Sequence, residues 1–326
     1  MTIDTKILTA LREAGAGGVA GTELSRELGI SRAAIWARIE ELRGLGYEIE
    51  AGPHIGYRLI SVPDVLHADD LLSNLGPVKV IGRDIRVFEE TTSTNDVIEK
   101  LARDRVREGV VVFAESQSKG RGRLGRKWIS PPRKGLWFSV LLRPALRPAA
   151  ATQLTIAAAT ALFRAIQAQT GLPPQIKWPN DILIRGKKVA GILTELNAEL
   201  DRVNYVILGI GVNVNTNAAE FPAEFRKLVS SLRIETGHRQ NRAELAVNIL
   251  RELDRDYGRI TAGKFEALAD EWEKNCSTLG QRVVIRAGDR KIEGRAESLD
   301  ADGALLLRTQ HGHLERIVGG DVTIEK

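Results

Sequence analysis

Apolar residues recur at helical spacing in three stretches at the start of the chain. "TKILTALREA" sets Ile7, Leu8 and Leu11 on one face, and "GTELSRELGISRAAIWARIEELRGLGY" predicts two further helices about a tight turn. Thr22 is the expected N-cap of the first of these and Gly29 its stop. Ser31 is the expected cap of the next, its hydroxyl meeting unpaired amides of the first turn. Ile35, Ile39, Leu42 and Leu45 form the buried stripe of that helix, which leaves Arg32, Trp36, Arg38 and Arg43 largely off it. "YEIEAGPHIGYRLI" then predicts two short strands about a Gly/Pro turn, the pattern of a β-wing. Residues 1–63 therefore read as a winged helix-turn-helix whose last helix suits a DNA major groove. A helical protein-interaction module is the alternative.

"SVPDVLHADD" reads as a linker, after which strands and helices alternate. The strands are "IRVFEE", "VVVFAES", "LWFSVLLRP", "QIKWPNDILI", "KKVAGILTEL" and "VNYVILGIGVNVN". Helices are expected from Asn95 to about Arg107, from about Ala149 to Thr170, from Arg242 to Thr261 and from Lys264 to Asn275. Consecutive strands without intervening helices predict a mixed sheet with helices on one side, an α+β domain over residues 64–276. From residue 277 to 326 period-two strands separated by Gly/Asp turns predict a small β-barrel.

Composition adds little until charge is followed along the chain. Hydrophobic content of 43% and charged content of 27% are ordinary for a globular protein of 326 residues. The acid-bearing amphipathic N-terminus and the lack of a long uninterrupted apolar run predict a cytoplasmic protein with no membrane partner. The single cysteine, Cys276, excludes an intramolecular disulfide and a cysteine-built metal site. The net charge is +5, yet from Ser116 to Asn180 there are 11 Lys or Arg and no Asp or Glu, so the other residues together are net −6. So concentrated a positive field predicts an anionic partner. Residues 1–63 carry seven Lys or Arg against eight Asp or Glu, not a broadly basic footprint.

At the centre of the basic stretch lies "GRGRLGRKW", Gly120 to Trp128, whose first six letters match the dinucleotide fingerprint G-x-G-x-x-G. That fingerprint needs a helix after it and an acid about 20 residues further on. "ISPPRKG" follows instead, and the next acid is Asp181, so the dinucleotide reading fails. What remains is a glycine-rich loop threaded with Lys119, Arg121, Arg123, Arg126 and Lys127, able to bring amides and guanidinium forks to a phosphate or carboxylate. Such a loop should repel itself when empty and order when an anion neutralises it. "KWPNDI" clusters Lys177, Asn180 and Asp181 beside an apolar strand; Asp181 suits an arginine, a metal, an incoming ammonium or a structural ion pair. "GKKVAGIL" offers Lys188 either to a ligand oxygen or to solvent. Gly209 and Gly211 in "GIGVNVN" leave one strand face bare. "TTSTND" sets Ser93, Thr94 and Asn95 at a helix start, as cap or as ligand contacts. Without a Ser-His-Asp, H-E-x-x-H or P-loop pattern, the chemistry reads as positioning and charge stabilisation.

With "STN", "GRGRLGRKW", "KWPND", "KKVAGIL" and "GIGVNVN" in this order, the chain resembles the biotin protein ligases, and with its winged helix their bifunctional members that repress the biotin operon. The resemblance spans essentially the whole chain and implies an SH3-like form for the terminal barrel. It implies ATP, biotin and Mg2+ as cofactors, with metal ligands unassigned. In that family biotin carboxylate attacks the α-phosphate of ATP, and a lysine of a biotin carboxyl carrier protein then attacks the acyl carbonyl and releases AMP. On this resemblance Ser93, Thr94, Asn95, Gln117, Arg121, Gly122, Arg123, Lys188, Gly209 and Gly211 contact biotin. Arg121, Arg123, Lys188 and Asp181 carry the chemistry, and Trp128 and Asn213 receive the nucleotide. Operator DNA would meet Ser31, Arg32, Trp36 and Arg38 in a homodimer that forms with the adenylate bound. A lipoate ligase, a biotin-sensing repressor without catalysis, and a ligase whose winged helix no longer represses are the alternatives. Leu124 departs from the pattern where another charge would fit, and should be tolerated.

Overall fold

The computed structural model describes residues 2–324, and the chain divides into two compact units at Pro77–Val78. In the first unit α1 (Ile3–Ala14) starts at Thr2, whose hydroxyl accepts from the Thr5 amide at 3.0 Å. Helix α2 (Gly21–Leu28) ends at Gly29, φ 66°. Its N-cap is Ala20, with no side-chain hydrogen bond, so Thr22 lies within the first turn rather than at the cap. Helix α3 (Arg32–Gly44) begins at Ser31, whose hydroxyl accepts from the Ala34 amide at 3.2 Å as its spacing predicts. Ile7, Leu8, Leu11, Leu24, Ile35 and Ile39 are fully buried together, with Leu42 beside them. Leu45 departs from the expected stripe at 50% exposure, because it occupies the cap after α3, where the chain turns towards the wing. The wing is the antiparallel pair β1 (Glu48–Gly52) and β2 (Gly56–Ser61).

The expected linker contains a helix, α4 (Ala68–Leu75), which packs on α1. Its polar letters have partners there. Buried Asp70 pairs with Arg12, and Asp69 accepts from the Thr5 hydroxyl at 2.5 Å.

The second unit is built on a seven-stranded mixed sheet. Strand β3 (Asp84–Thr91) runs through α5 (Thr94–Arg103) to β4 (Val110–Gln117), followed by β5 (Gly135–Leu142), α6 (Thr152–Thr170), β6 (Gln175–Lys177), β7 (Asp181–Ile184), β8 (Lys187–Ala198) and β9 (Val203–Asn213). The spatial order is β3-β4-β5-β9-β8-β7-β6, with only β3 and β4 parallel. All eight residues of β5 are buried, which accounts for its apolar run where alternation would mark a half-exposed strand. Three further helices follow, α7 (Leu232–Thr236), α8 (Arg242–Thr261) and α9 (Glu266–Lys274). The stretch Pro148–Thr170, most of it α6, is long and apolar enough to cross a membrane, but 78% of its 18-residue apolar window is buried inside the protein, and α6 packs on α8, α9 and the β6–β8 side of the sheet. Arg164 of α6 ties these helices together, pairing with Glu252 at 2.5 Å, Glu271 at 2.7 Å and buried Asp256. Burial pushes the Asp256 carboxyl up despite these partners.

The tail forms β10 (Arg282–Ala287), β11 (Arg290–Leu299), β12 (Leu305–Thr309), β13 (Leu314–Ile317) and β14 (Asp321–Ile324). This corrects the expected barrel. The strands form an open antiparallel sheet in the order β13-β12-β11-β10-β14, and no ladder joins its two edges among the described residues. Closing it into the SH3-like form would need β13 and β14 to pair, and they lie at opposite ends of the order. The sheet rests on the start of α6, where Gln153 donates to Ala301 O at 2.9 Å, and on α9, where Glu273 accepts from the Leu299 amide at 2.6 Å.

One ion pair lies wholly inside this unit. Arg242 at the start of α8 donates to Glu115 on β4 at 2.5 Å, with side-chain exposures of 0% and 1%. Taking one charge out of a buried ion pair is strongly destabilising, so Arg242→Met should cost about 3–5 kcal/mol in urea unfolding.

Candidate active site

The basic loop is a tight hairpin. Gly122 N donates to Arg126 O at 2.6 Å and Trp128 N to Gly120 O at 2.9 Å, while Lys119 N reaches Thr92 O at 2.8 Å. A Cβ on Gly120 would fall 2.5 Å from Trp128 O, so this glycine permits the close crossing of the two arms. No helix follows, in keeping with the failed dinucleotide reading. Leu124 sits at the tip, 70% exposed.

The loop borrows its counter-charge. Arg121 donates Nε and Nη2 to Glu195 of β8 at 3.0 and 3.1 Å and Nη1 to Asp96 of α5. The Glu195 hydrogen bonds push its pKa further up. Arg126 pairs with Asp321 at the start of β14. Arg123 differs from both. Its hydrogen bonds go to neutral oxygens, Asn180 Oδ1 at 3.2 Å and Gly320 O at 3.5 Å, and burial lowers its pKa. The expectation of a self-repelling loop missed these carboxylates, which come from far along the chain.

A continuous polar chain begins at the start of α5. Ser93 holds the cap position but its side chain makes no cap hydrogen bond; Ser93, Thr94 and Asn95 are each 3% exposed. Gln117 Oε1 accepts from Thr94 N at 2.9 Å and Gln117 Nε2 donates to Ser130 Oγ at 2.8 Å. Thr94 and Ser139 hydroxyls meet at 2.6 Å, Ser139 donates to Asn95 Oδ1, and Asn95 Nδ2 donates to Glu195 Oε2 at 2.7 Å. Asn95 lies directly on β9: a Cβ on Gly209 would be 2.3 Å from its Oδ1.

A second cluster lies further along the same strands. Trp128 covers Gly211, where an added Cβ would be 2.5 Å from the indole, and Gly191, where it would be 2.9 Å away. Lys188 Nζ stands 5.1 Å from the centre of the Trp128 ring. The same ammonium lies 2.6 Å from Asp181 Oδ1, a contact of charge rather than of an aligned hydrogen bond. Trp128 Nε1 is buried with no hydrogen-bond partner among the described residues. Asn180 Nδ2 donates to Ile192 O at 2.7 Å and so links the loop to β8.

The structure thus brings Thr94, Asn95, Gln117, Arg121 and Gly209 into one cluster, and Trp128, Asp181, Lys188 and Gly211 into another, with Arg123 linked through Asn180. Asn213 is buried and donates to Ser230 O at 3.0 Å. A Cβ on Gly122 would meet nothing closer than 3.6 Å, so packing alone does not require glycine there. Sequence reasoning missed Glu195, Asp96, Ser130, Ser139 and Gly191. The available signal for Glu195 was a carboxylate in the apolar strand "GILTEL" in a chain whose basic loop carries no acid. In the first unit Arg32 is exposed and Trp36 is 58% exposed. Ser31 caps α3, and Arg38 is engaged with Glu41 at 2.7 Å and Asp4 at 3.8 Å. Burial raises the Asp4 carboxyl, with the Arg38 guanidinium opposing the shift.

Comparison with known proteins follows the same division. Residues 87–213 match the biotin/lipoate A/B protein ligase family, residues 4–58 an HTH domain and residues 278–324 the biotin protein ligase C-terminal domain. The chain is 37% identical over 323 residues to the bifunctional ligase/repressor BirA of Bacillus spizizenii, covering 99% of each. It is 30% identical over 305 residues to that of Escherichia coli K12, covering 93% of this chain and 92% of the relative. Among solved structures it resembles a biotin protein ligase from Aquifex aeolicus in complex with biotin and ATP, at 31% identity and a TM-score of 0.64, over 75% of this chain and 99% of that one. The chain belongs to the biotin protein ligase family, in the branch whose members are bifunctional ligase/repressors.

Proposed function

We propose that the chain is an ATP-dependent biotin protein ligase that also represses transcription through its winged helix-turn-helix. The observation that carries this reading is the convergence of Lys188, an aromatic face from Trp128 and the basic loop over a strand stripped to glycine at Gly209 and Gly211. Such a site suits an acid being joined to a nucleotide phosphate. The biotin carboxylate attacks the α-phosphate, an acyl C–O–P linkage forms and pyrophosphate leaves. The amine of a carrier-protein lysine then attacks the acyl carbonyl, and AMP departs with the bonding electrons.

The head group binds beside Ser93, Thr94, Asn95 and Gln117; Gly209 and Gly211 make room on β9 for Asn95 and Trp128, which line the site, and Gly122 lets the loop backbone approach. Lys188 meets the carboxylate and the forming acyl phosphate. Its existing contact with Asp181 leaves that carboxylate placed to orient the attacking amine. Trp128 faces the nucleotide, and its unpartnered Nε1–H is a donor whose burial costs about 1–3 kcal/mol until an acceptor arrives. Asn213 acts on the nucleotide side through the Ser230 backbone that it holds. Arg123 faces the developing phosphate charge, where a guanidinium hydrogen-bonded to such charge in a water-poor site contributes about 3 kcal/mol, while Arg121, held by Glu195 and Asp96, stands at the head-group end. No three His, Cys, Asp or Glu side chains come together to hold a metal among the described residues. Mg2+ is therefore read as the counter-ion that ATP brings on its phosphates. Repression follows the mode of the bifunctional branch, in which an adenylate-bound homodimer places α3 of each protomer on operator DNA.

Incubation with ATP, a biotin carboxyl carrier domain and either biotin or lipoate should yield biotinylated carrier only. Lipoate transfer, or transfer of neither acid, would overturn the ligase reading. Arg123→Ala should abolish biotin-dependent pyrophosphate release while far-ultraviolet circular dichroism stays unchanged, and near-normal release would remove its role. On a duplex carrying the operator of the biotin-synthesis genes, Arg32→Ala should weaken binding by tenfold or more and Arg38→Ala by less, because Arg38 is already paired. Unchanged affinity in both would take α3 off the DNA.

A further inference from the structure

The two arginines of the loop have unlike partners, and the difference divides their work. The Arg121 fork is filled by two carboxylates, Glu195 and Asp96, so its positive charge is already answered within the protein. Among the described residues Arg123 hydrogen-bonds only to neutral oxygens; Asp321 and Asp181 act on it through space, but no carboxylate fills its fork. Glu195 also holds Asn95. An ionised carboxylate only accepts hydrogen bonds, so the 2.7 Å contact fixes the Asn95 amide with Nδ2 towards Glu195 and Oδ1 towards Ser139. The Ser139 proton is then spent on Asn95, so the 2.6 Å contact between Ser139 and Thr94 takes the Thr94 proton, for which Gln117 Oε1 at 3.2 Å is the competing acceptor. One carboxylate on β8 thereby sets the direction of every hydrogen bond from Asn95 to Thr94 and ties the loop to the start of α5.

We propose that Glu195 is a positioning residue for the ligand head group: it commits Arg121 and Asn95 to the head-group end of the site and leaves Arg123 as the guanidinium that meets the phosphate. This rests on the biotin ligase reading above and assigns a residue that reading does not use. A ureido head group, with one acceptor oxygen and two N–H donors, is sensitive to such directionality, because a flipped Asn95 presents a donor where an acceptor is needed.

Glu195→Gln keeps the size of the side chain but can donate as well as accept, so it no longer fixes Asn95 or balances Arg121. Biotin-dependent pyrophosphate release by the full chain, titrated separately in biotin and ATP, should show the biotin KM rising at least tenfold. The ATP KM should stay within about twofold and kcat should fall no more than about threefold. Arg121→Ala should follow the same pattern, whereas Arg123→Ala loses kcat. Glu195→Asp should recover part of the biotin KM, and adding Glu195→Gln to Asn95→Ala should make that variant little worse. Equal rises in both KM values, a loss confined to kcat, or additive effects of Asn95→Ala and Glu195→Gln would overturn the assignment. A wild-type chain that releases no pyrophosphate with biotin would instead overturn the ligase reading itself.

Discussion

A loop that carries five cations and no carboxylate can lie against a protein only if other elements supply the opposing charge, and much of the second unit is arranged to do so. Unit charges 4 Å apart interact by about 4 kcal/mol at an effective dielectric of about 20, enough to decide how a flexible segment rests. The opposing groups reach the loop from three places, Asp96 in α5, Glu195 on β8 and Asp321 at the start of β14. The sheet order makes this possible. It sets β8 beside β9, and the open C-terminal sheet presents Gly320 and Asp321 to Arg123 and Arg126. Of the three loop arginines only Arg123 makes no ion pair with a carboxylate among the described residues.

Glycine does the complementary work on the sheet. Gly209 lets Asn95 lie on β9, while Gly211 and Gly191 let Trp128 lie across β9 and β8. The bare face read from "GIGVNVN" is thus occupied by two of the chain's own side chains, one from the start of α5 and one from the end of the loop. Asn95 and Trp128 thus cover β9 at two glycines two residues apart.

What could be read from the letters followed the range of the interactions. Helix α3 and its Ser31 cap depend on neighbours a few residues apart, and both were legible. So was the failure of the dinucleotide fingerprint, which depends on what directly follows Trp128. Helix α4 was hidden because its eight residues include two aspartates whose partners, Arg12, Thr2 and Thr5, lie about sixty residues away. The C-terminal segment shows period-two strands in sequence, but whether its edges pair is a property of strand order in space, and among the described residues they do not. Glu195 was missed for the same reason as α4: its role is written at Arg121, 74 residues earlier, and at Asn95, 100 residues earlier.

The account turns on an exchange of partners at the loop, and amide hydrogen exchange over residues 119–128 measures it most directly. With biotin and ATP added together, these amides should exchange at least tenfold more slowly than in the free protein, while those of the buried strand β5 stay unchanged. A loop whose exchange is the same with and without the two ligands would contradict the account.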